Sequence, residues 1–554
     1  MIKEARICAV MVIFLSLVSS SFAGAKEIPK ERLIADVRQL ADILEKAHPD
    51  PYLRGGGKIA FHRRLQKTML SIPERGLSNL EFYRLLRPFV AAVNDPHTSL
   101  RSPYPHLAAL ARGLPLRFAI VEKSLYVDGV PEEEYRSLLG SRLMAVEGVS
   151  FKEIQERQKK LQGHDNEYDV LSAIGGYGAL WYWFYLEQLI PEWKNRDQIR
   201  LILQHPDGQE QKHTLPTFKR VKFPLIGFES EFALPSREKC DFVYSFLDHD
   251  KKSALLVIDN MSTYREAFEA WDSYGFPWTV DRAKQVFKRY QGINPPEDKE
   301  ALFAGLPSVT ETFRSLVKDM KKAVTETLLI DLRRNHGGNS LMSQILVYYL
   351  YGKAEILGNR KEKATEIRKL SEYFFKQYGN TTLEELNEGS PVSLTREDYN
   401  LKHDREFQSE RTDEEIANEI QEFLDRGPTF AEEYKSGKHS GYYLPKNVVV
   451  LCSANTFSSG WTLMYCLYKA GATLVGTPSS QAGNCFGDTL QFQLDNSKLR
   501  GSVSHKYFDM FPDDLEMGRV LKMHHQMTYE KLKSYRFDPN AEILYALELL
   551  KISK

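Results

Sequence analysis

Several features that often decide a protein's function are absent from this sequence. Beyond the first 25 residues no apolar run reaches the ~20 residues that a membrane-spanning helix needs. Lys plus Arg and Asp plus Glu both total 74, so the formal net charge is zero. We therefore do not expect nucleic acid or an anionic membrane surface as a partner.

Cysteine is scarce, with five in 554 residues and no C-x-x-C pair. A chain of this length needs no disulfide framework, and the spacing does not suit a thiolate metal site. We expect the four cysteines after the first to be small buried apolar residues: Cys240, Cys452, Cys466 and Cys485.

Two catalytic motifs are also missing. The chain has no G-x-S-x-G elbow, which makes an esterase the least favoured acyl hydrolase. The adjacent pair His524-His525 is not part of an H-E-x-x-H motif, and neighbouring side chains point in different directions. We expect neither a metal nor another cofactor.

The N-terminus differs in composition from the rest of the chain. Two basic residues precede an apolar run over 7–18, and mostly small residues up to Ala25 offer a cleavage site. This pattern predicts a signal peptide at 1–25 and a periplasmic or extracellular protein. The alternative, an uncleaved anchor, is less favoured because the run is shorter than the ~20 residues of a bilayer span.

A strand-to-helix transition at 448–471 carries the candidate nucleophile. The stretch V-V-V-L-C-S-A-N-T-F-S-S-G-W opens as a β-branched apolar run and takes helical spacing from Ser458 onward. Ser458 and Ser459 therefore lie at a helix N-terminus, where free backbone N–H groups can bind an oxyanion. Helix capping by the same serines is the alternative interpretation.

Together with L-L-I-D-L-R-R-N-H-G-G-N-S at 328–340, this stretch resembles the tail-specific (C-terminal-processing) serine peptidase family, and more closely its tricorn-like branch. The resemblance implies that Ser458 is the nucleophile. Trp461 stands where the family has an acid, and Gly460 where it has another small residue. No lysine lies between Lys469 and Lys498, so the Ser-Lys dyad of better-known members is absent.

A histidine is the expected base instead. Asp95-Pro96-His97-Thr98 follows a helical region and resembles the D-x-H-T by which the tricorn-like branch delivers its base from a cap domain. The resemblance therefore implies His97 as general base, although a lone histidine after a helix is often structural. Pro96 replaces a serine of tricorn itself, so that enzyme's additional hydroxyl is not implied here.

The oxyanion donors are expected to be the N–H groups of Ser459 and of the Gly337-Gly338 turn, because glycine lets the backbone approach a substrate closely. The two glycines also fit a tight turn with no catalytic part. His336 beside them is expected as a substrate contact or a spectator.

The acid that orients the base is less defined in the sequence. The resemblance implies a glutamate ahead of a G-V pair, and E-M-G-R-V at 516–520 fits that pattern loosely. This makes Glu516 the candidate. Surface charge explains it equally well, because Asp513, Asp514 and Glu516 form an acidic run.

Apolar strands at 253–258, 327–332 and 448–451 are each followed by helical patterns, which predicts an α/β fold with parallel strands. The resemblance implies a crotonase-like (ClpP/crotonase) catalytic domain. The expected units are a helical cap at 26–110, a PDZ-like module with a helical insertion at 111–218, and a catalytic domain at 219–554 with lid-like insertions near 264–298 and 354–442.

We expect an exported serine peptidase that hydrolyses peptides or proteins through a Ser-His mechanism and an acyl-enzyme. The alternative is a non-catalytic peptide- or ligand-binding protein on the same scaffold. The aromatic segment 177–185 is expected to pack internally, with a peptide-binding face as the other possibility. Nothing in the sequence indicates an oligomeric state.

Overall fold

The structure is a computed structural model that describes residues 27–552, except for 104–112, 177, 195, 218–224, 231, 354–363, 389, 391, 407–411 and 437–441. The expected signal peptide lies outside the described residues. Within them the fold is a mixed α/β fold with three sheets, one of them mostly parallel. None of the described helices is both long and apolar enough to cross a bilayer.

The N-terminal region is helical, as its apolar spacing predicts. A capping box starts the third helix: the Ser78 N–H donates to Glu81 Oε2, and the Glu81 N–H donates to Ser78 Oγ. A short strand follows the third helix. These elements are α1 (Lys30–Ala47), α2 (Gly57–Leu70), α3 (Asn79–Ala91) and β1 (Ser99–Leu100).

An antiparallel sheet follows, with the order β2-β3-β4-β6-β7 and β5 paired to β4. Its helices lie between β5 and β6, where the sequence predicts a helical insertion. The elements are β2 (Arg117–Val121), β3 (Ser124–Gly129), β4 (Arg142–Val146), β5 (Val149–Ser150), α4 (Phe151–Lys159), α5 (Glu167–Ile174), α6 (Trp183–Leu189), β6 (Gln198–Gln204) and β7 (Glu210–Pro216).

The described part of the aromatic segment packs against the N-terminal helices. Arg84 of α3 stacks on Trp183, and Arg87 stacks on Tyr185 at 4.9 Å. The Arg84 guanidinium also donates to Glu187 at 2.7 Å. This supports internal packing rather than a peptide-binding face.

The parallel sheet has the order β17-β14-β13-β10-β9-β8, in which only the β8 pairing is antiparallel. The predicted strands correspond to β9, β10 and β13. Its elements are β8 (Phe242–Phe246), β9 (Ser253–Ile258), α10 (Val309–Ala323), β10 (Thr327–Asp331), α11 (Leu341–Tyr351), β13 (Asn447–Cys452), α16 (Ser459–Lys469), β14 (Thr473–Gly476), β17 (His525–Gln526) and α19 (Ala541–Ile552).

Both faces of this sheet are buried, which explains its continuous apolar strands. Leu256 and Ile330 face the helices α10, α11 and α16, whereas Leu255 and Leu329 face α19. The central strand β10 is buried along its whole length.

The third sheet joins distant parts of the chain. β16 pairs with β15 along one edge, and with β1 and β11 on the other, while β12 extends from β11. The segment expected as an insertion at 354–442 therefore contributes two strands. They are β11 (Thr365–Lys369), β12 (Tyr399–His403), β15 (Asn484–Gln493) and β16 (Arg500–Asp509).

Helices complete the two expected insertions and the C-terminal region. They are α7 (Arg265–Ser273), α8 (Thr279–Gln291), α9 (Lys299–Ala304), α12 (Glu372–Gln377), α13 (Leu383–Asn387), α14 (Asp413–Asp425), α15 (Pro428–Ser436), α17 (Leu515–Arg519) and α18 (Tyr529–Ser534).

A buried carboxylate ties the first helix to the turn between β15 and β16. Asp36 of α1 is fully buried and accepts three hydrogen bonds: from the N–H of Asn496 at 2.9 Å, from Asn496 Nδ2 at 2.8 Å, and from the N–H of Ser497 at 2.7 Å. All three donors use the same Asp36 carboxylate as their acceptor. The N-terminal helices are therefore held on the third sheet.

We expect Asp36→Ala to lower the free energy of unfolding by about 3 kcal/mol, because it leaves three donors without an acceptor, one of them the buried N–H of Ser497. The control is Asp42→Ala on the same helix. The Asp42 carboxylate is half-exposed and pairs with Lys46, so its removal should change the free energy of unfolding by no more than about 0.5 kcal/mol. Urea unfolding followed by circular dichroism measures both. Equal losses would show that the Asp36 bonds do not hold the helix.

Candidate active site

Ser458 lies in a strained turn between β13 and α16. Its φ of 52° and ψ of −127° are unfavourable for any residue with a side chain. The Ser458 N–H donates to Gln481 Oε1 at 2.6 Å, and the Phe457 N–H donates to the Asn335 carbonyl at 2.9 Å. These bonds hold the strained conformation and leave the Ser458 side chain facing a cavity.

Asn335 connects three segments of the site. Its Nδ2 donates to the Ile258 carbonyl at the end of β9, and its Oδ1 accepts the Gly337 N–H at 2.8 Å. Gly460 packs so closely on it that a Cβ there would lie 2.7 Å from Asn335 Oδ1. Sequence reasoning missed Asn335, although an Asn two residues before a glycine pair is typical of a side chain that bonds its own turn.

The Gly337-Gly338 turn packs directly on the serine. A Cβ at Gly337 would lie 2.6 Å from Ser458 Cβ, and one at Gly338 would lie 2.2 Å from Met261. Both residues also have positive φ, of 97° and 143°. The two glycines are therefore required by space as well as by conformation.

Two backbone N–H groups close to Ser458 in the chain or in space, those of Ser459 and Gly338, have no acceptor among the described residues. The bridge between Met261 and Gly338 uses the Gly337 carbonyl and the Asn339 N–H, which leaves the Gly338 N–H outside it. Ser459 opens α16, and its Oγ donates to the Gly338 carbonyl at 2.7 Å. Within the described part of the chain neither the Gly338 nor the Ser459 N–H has an acceptor, whereas the Gly337 N–H is taken by Asn335. The expected set of three donors is thus reduced to two.

His97 lines the same cavity as Ser458. Its ring stacks on Phe457, the neighbour of the serine, with ring centres 4.6 Å apart. Ser502 Oγ donates to the His97 carbonyl at 2.8 Å, and β1 pairs with β16 two residues later. The structure therefore brings the predicted base to the predicted nucleophile, although no hydrogen bond joins these two side chains.

Asp95 is the carboxylate next to His97. It is fully buried and accepts from His48 Nε2 at 3.3 Å, from the Thr98 hydroxyl at 2.5 Å and from the Ser504 hydroxyl at 2.6 Å. The His97 N–H donates to its Oδ1 at 2.9 Å, and His97 Nδ1 lies 3.9 Å from the same atom. Nδ1 itself has no hydrogen-bond partner.

The charge of Asp95 is stabilised in place. Burial alone would raise its pKa, but the hydrogen bond and charge of His48, with the charge of His97 and the Ser504 hydroxyl, outweigh that effect and lower the pKa below its usual range. Asp95 is therefore an anion at neutral pH. Its negative charge lies on the Nδ1 side of the His97 ring.

A second buried acid lies nearby. Arg54 donates to Asp165 at 2.9 Å and to the Asn484 carbonyl at 2.8 Å. Burial raises the pKa of Asp165 to about 6, although Arg54 and His97 oppose the rise. This pair joins the N-terminal helices, the α5 region and the start of β15 behind the histidine.

The structure does not bring Glu516 to His97. Its side chain is exposed in the first turn of α17, and among the described residues only Asp95 has a carboxylate within 4 Å of a His97 ring nitrogen. α17 nevertheless packs beside the start of β15, where Gly518 contacts Asn484. His336 is exposed and has no bond to Ser458.

A protein-family comparison bears on the reaction. Residues 301–510, which include Ser458 and both glycines, match the family described as peptidase family S41. The resemblance to the tail-specific peptidases is thereby confirmed, and the protein is a serine-type peptidase, a hydrolase.

Solved structures are similar over nearly the whole chain. Mature CPAF aligns with 92% of this chain and 96% of its own at 13% identity and a TM-score of 0.51. CPAF complexed with lactacystin aligns with 94% and 98% at 14% identity and a TM-score of 0.50. At such identities the likeness shows the fold alone.

The tricorn protease aligns with 94% of this chain but 36% of its own, at 9% identity and a TM-score of 0.29, which is too low to support the tricorn-like branch. No curated protein matches the sequence significantly.

The candidate site opens into a cavity of about 1130 Å³. Its lining includes His97, Ser458 and Gln481, together with side chains from both segments expected as insertions. Cys485 also lines it, but burial raises the pKa of its thiol well above the usual value, which keeps the thiol protonated and inert. In the part of the chain that is described, no three His, Cys, Asp or Glu side chains form a metal site.

The structure also describes the other three expected cysteines. Cys452 and Cys466 are buried, as expected, whereas Cys240 is half-buried. Trp461, which stands where the family has an acid, is buried in the core and stacks on Tyr465 at 5.1 Å.

We expect Gly337→Ala to lower kcat/KM by about 100-fold or more, because the added Cβ displaces Ser458 and the nearby donors. The control is Gly471→Ala, which has a similar φ of 89° but open space around the Cβ. Gly471→Ala should lower the free energy of unfolding by about 1 kcal/mol through backbone strain alone, and it should keep the wild-type kcat/KM. Peptide hydrolysis and thermal unfolding measure the pair. Similar activity in both variants would contradict the close contact.

Proposed function

We propose that the protein is an exported peptidase in which Ser458 and His97 form the catalytic pair. The observation that carries this proposal is the strained Ser458 turn, which presents the hydroxyl to the cavity that His97 also lines. Strain of this kind persists where it serves a function. Two backbone N–H groups without acceptors, those of Ser459 and Gly338, lie beside it.

The reaction then follows from these positions. Ser458 Oγ attacks the scissile carbonyl while His97 accepts its proton. Because Nδ1 lies on the Asp95 side of the ring, Nε2 is the atom left to face the serine. The Ser459 and Gly338 N–H groups stabilise the oxyanion. His97 returns the proton to the leaving amine, and water hydrolyses the acyl-enzyme.

Ser458 and His97 must come closer for this step, because no hydrogen bond joins their side chains in the structure. Catalytic hydrogen bonds often shorten only when substrate is bound. His97 stacks on Phe457, the neighbour of Ser458, and we propose that bound substrate brings its Nε2 to the serine hydroxyl.

Asp95 is our candidate for the acid that orients His97. Its charge and its bond to the His97 backbone N–H support this assignment. Glu516, which the resemblance implies, remains the rival, because α17 lies beside the start of β15 and a movement of this short helix would change the position of its carboxylate.

The remaining expectations belong to the same proposal. The parallel strands β9, β10, β13 and β14 support a crotonase-like catalytic domain within 219–554, and the antiparallel sheet β2–β7 supports a PDZ-like module at 111–218. Helices α1–α3 support a cap domain at 26–110. We propose export through a signal peptide at 1–25 and a place in the tricorn-like branch from the sequence alone.

Labelling by a fluorophosphonate probe tests the catalytic pair. We expect the wild type to react and Ser458→Ala to be unreactive. The labelling rate of His97→Ala should be lower than that of the wild type by about 100-fold or more, since general-base catalysis contributes at least that much. The control is Ser315→Ala, which removes an exposed serine hydroxyl of α10 that bonds only its own helix.

Circular dichroism confirms that each variant is folded. Labelling that survives in Ser458→Ala would contradict the nucleophile. A folded wild type that does not label would favour the alternative, a ligand-binding protein on this scaffold.

Two further variants test which carboxylate, that of Asp95 or that of Glu516, orients His97. Asp95→Asn and Glu516→Gln are matched changes that each remove one charge. We expect Asp95→Asn to lower kcat/KM for a peptide substrate by about 100-fold or more, and by more than Glu516→Gln does, because the buried anion next to Nδ1 orients and stabilises the imidazolium.

Thr98→Val supplies the control, because it removes one hydroxyl bond to Asp95 and keeps the charge. It separates loss of the anion from loss of packing and is expected to keep most of the activity. A larger loss in Glu516→Gln would assign the orienting role to Glu516.

A further inference from the structure

One wall of the catalytic cavity is aromatic. The loop between α7 and α8 has the sequence Y-G-F-P-W, and its Tyr274, Phe276 and Trp278 line the cavity, as do Trp271 and Tyr378. The rings form a continuous surface: Trp271 and Trp278 are 5.0 Å apart, Phe276 and Trp278 5.4 Å, and Phe276 and Tyr378 5.0 Å. We call these five side chains the aromatic wall.

The wall is supported from behind and open in front. Phe276 and Tyr378 belong to the buried core that includes the N-terminal helices. Trp278, in contrast, is 39% exposed and is one of the few large exposed apolar side chains in the described part of the chain. A rigid apolar surface in a concave site is a typical ligand contact, whereas packing alone does not require Trp278 to face the solvent.

The charges in the cavity select the kind of side chain that fits the wall. Arg101, Arg282 and Arg500 line the cavity and have no carboxylate partner among the described residues. Lys506, by comparison, pairs with two carboxylates. The carboxylates that line the cavity, Glu366, Glu419 and Asp488, are in contrast each paired with His403 or Lys506. Among the described residues of the cavity, the charges left without a partner are therefore positive, which disfavours a Lys or Arg side chain of a substrate. An aromatic face is also attractive to cations, but Arg426 already stacks on Tyr274 at 4.4 Å.

We propose that the aromatic wall is a specificity subsite that binds a bulky apolar or aromatic side chain of a peptide substrate. This inference rests on the proposed function, because it places the substrate in the cavity that Ser458 and His97 line. The subsite lies on the α7–α8 segment, outside the matched residues 301–510, except for Tyr378. The preference is therefore a property of this chain's added segment.

The test measures binding separately from hydrolysis. Fluorescently labelled ten-residue peptides of Gly and Ser carry one Phe, Ala or Lys at each position in turn, and anisotropy gives their Kd for the Ser458→Ala variant. We expect Phe at one position to bind about tenfold tighter or more than Ala or Lys at that position, because an aromatic side chain buries its apolar surface there.

Variants of the wall then assign the preference. In the Ser458→Ala background, Trp278→Ala should abolish the Phe preference and leave the Ala peptide unchanged, while Trp278→Phe should retain part of it. Tyr442→Ala is the matched control, because Tyr442 is 60% exposed and does not line the cavity. It should keep the full preference.

Equal Kd values for Phe and Ala, tightest binding of Lys, or a Phe preference that survives Trp278→Ala would each overturn the subsite. The kcat/KM of the wild type with the same peptides separates this outcome from failure of the proposed function. Hydrolysis without a Phe preference would support catalysis by Ser458 and His97 and contradict the aromatic wall as a subsite. A Phe preference in binding without any hydrolysis would support the subsite and contradict the proposed catalysis.

Discussion

The buried Asp95 carboxylate is the interaction on which the site depends. It accepts from His48 of the N-terminal region, from Thr98, and from Ser504 of β16, and it also holds the His97 N–H. A single anion thus joins two parts of the chain that are more than 400 residues apart. Removing it from water is unfavourable, and these donors together keep it charged. The position of His97, the proposed base, depends in part on the hydrogen bonds that satisfy this charge.

The position of Ser458, the proposed nucleophile, depends instead on close packing. Ser458 has a backbone conformation that favours glycine, and its neighbours hold it there: Gly337 fits against its Cβ, and Gln481 accepts its N–H. Asn335 links both sides of the turn by using its amide and its carbonyl. The serine is therefore oriented by short contacts within the peptidase segment, whereas the base is oriented by a buried charge. The two halves of the pair are positioned by independent means.

Much of the fold was predictable from the sequence because its pattern is local. The apolar runs that became β9, β10 and β13 are buried on both faces, and the strand-to-helix change near Ser458 is sharp. Two strands within 354–442 were not predictable, since β11 is stabilised by its pairing with β16 rather than by its own composition. For the same reason Asp95, Asn335 and Gln481 were missed as site residues. Each acts through partners that are distant in sequence, and only the folded chain brings them together.

The separation of base and nucleophile has a consequence for stability. His97 reaches the cavity only because β1 pairs with β16 and because Asp36 of α1 holds the β15–β16 turn. These contacts accompany an apolar core that α1–α3 share with Leu490 and Val503 of the third sheet, and this core is separate from that of the parallel sheet. Loss of the N-terminal core would therefore remove His97, the proposed base, while the turn of Ser458 stays folded, because parts of a protein with separate cores can open separately. Activity should fail before the peptidase core unfolds. The aromatic wall shares the core that supports α1–α3, so the same loss would also loosen the surface that faces the substrate.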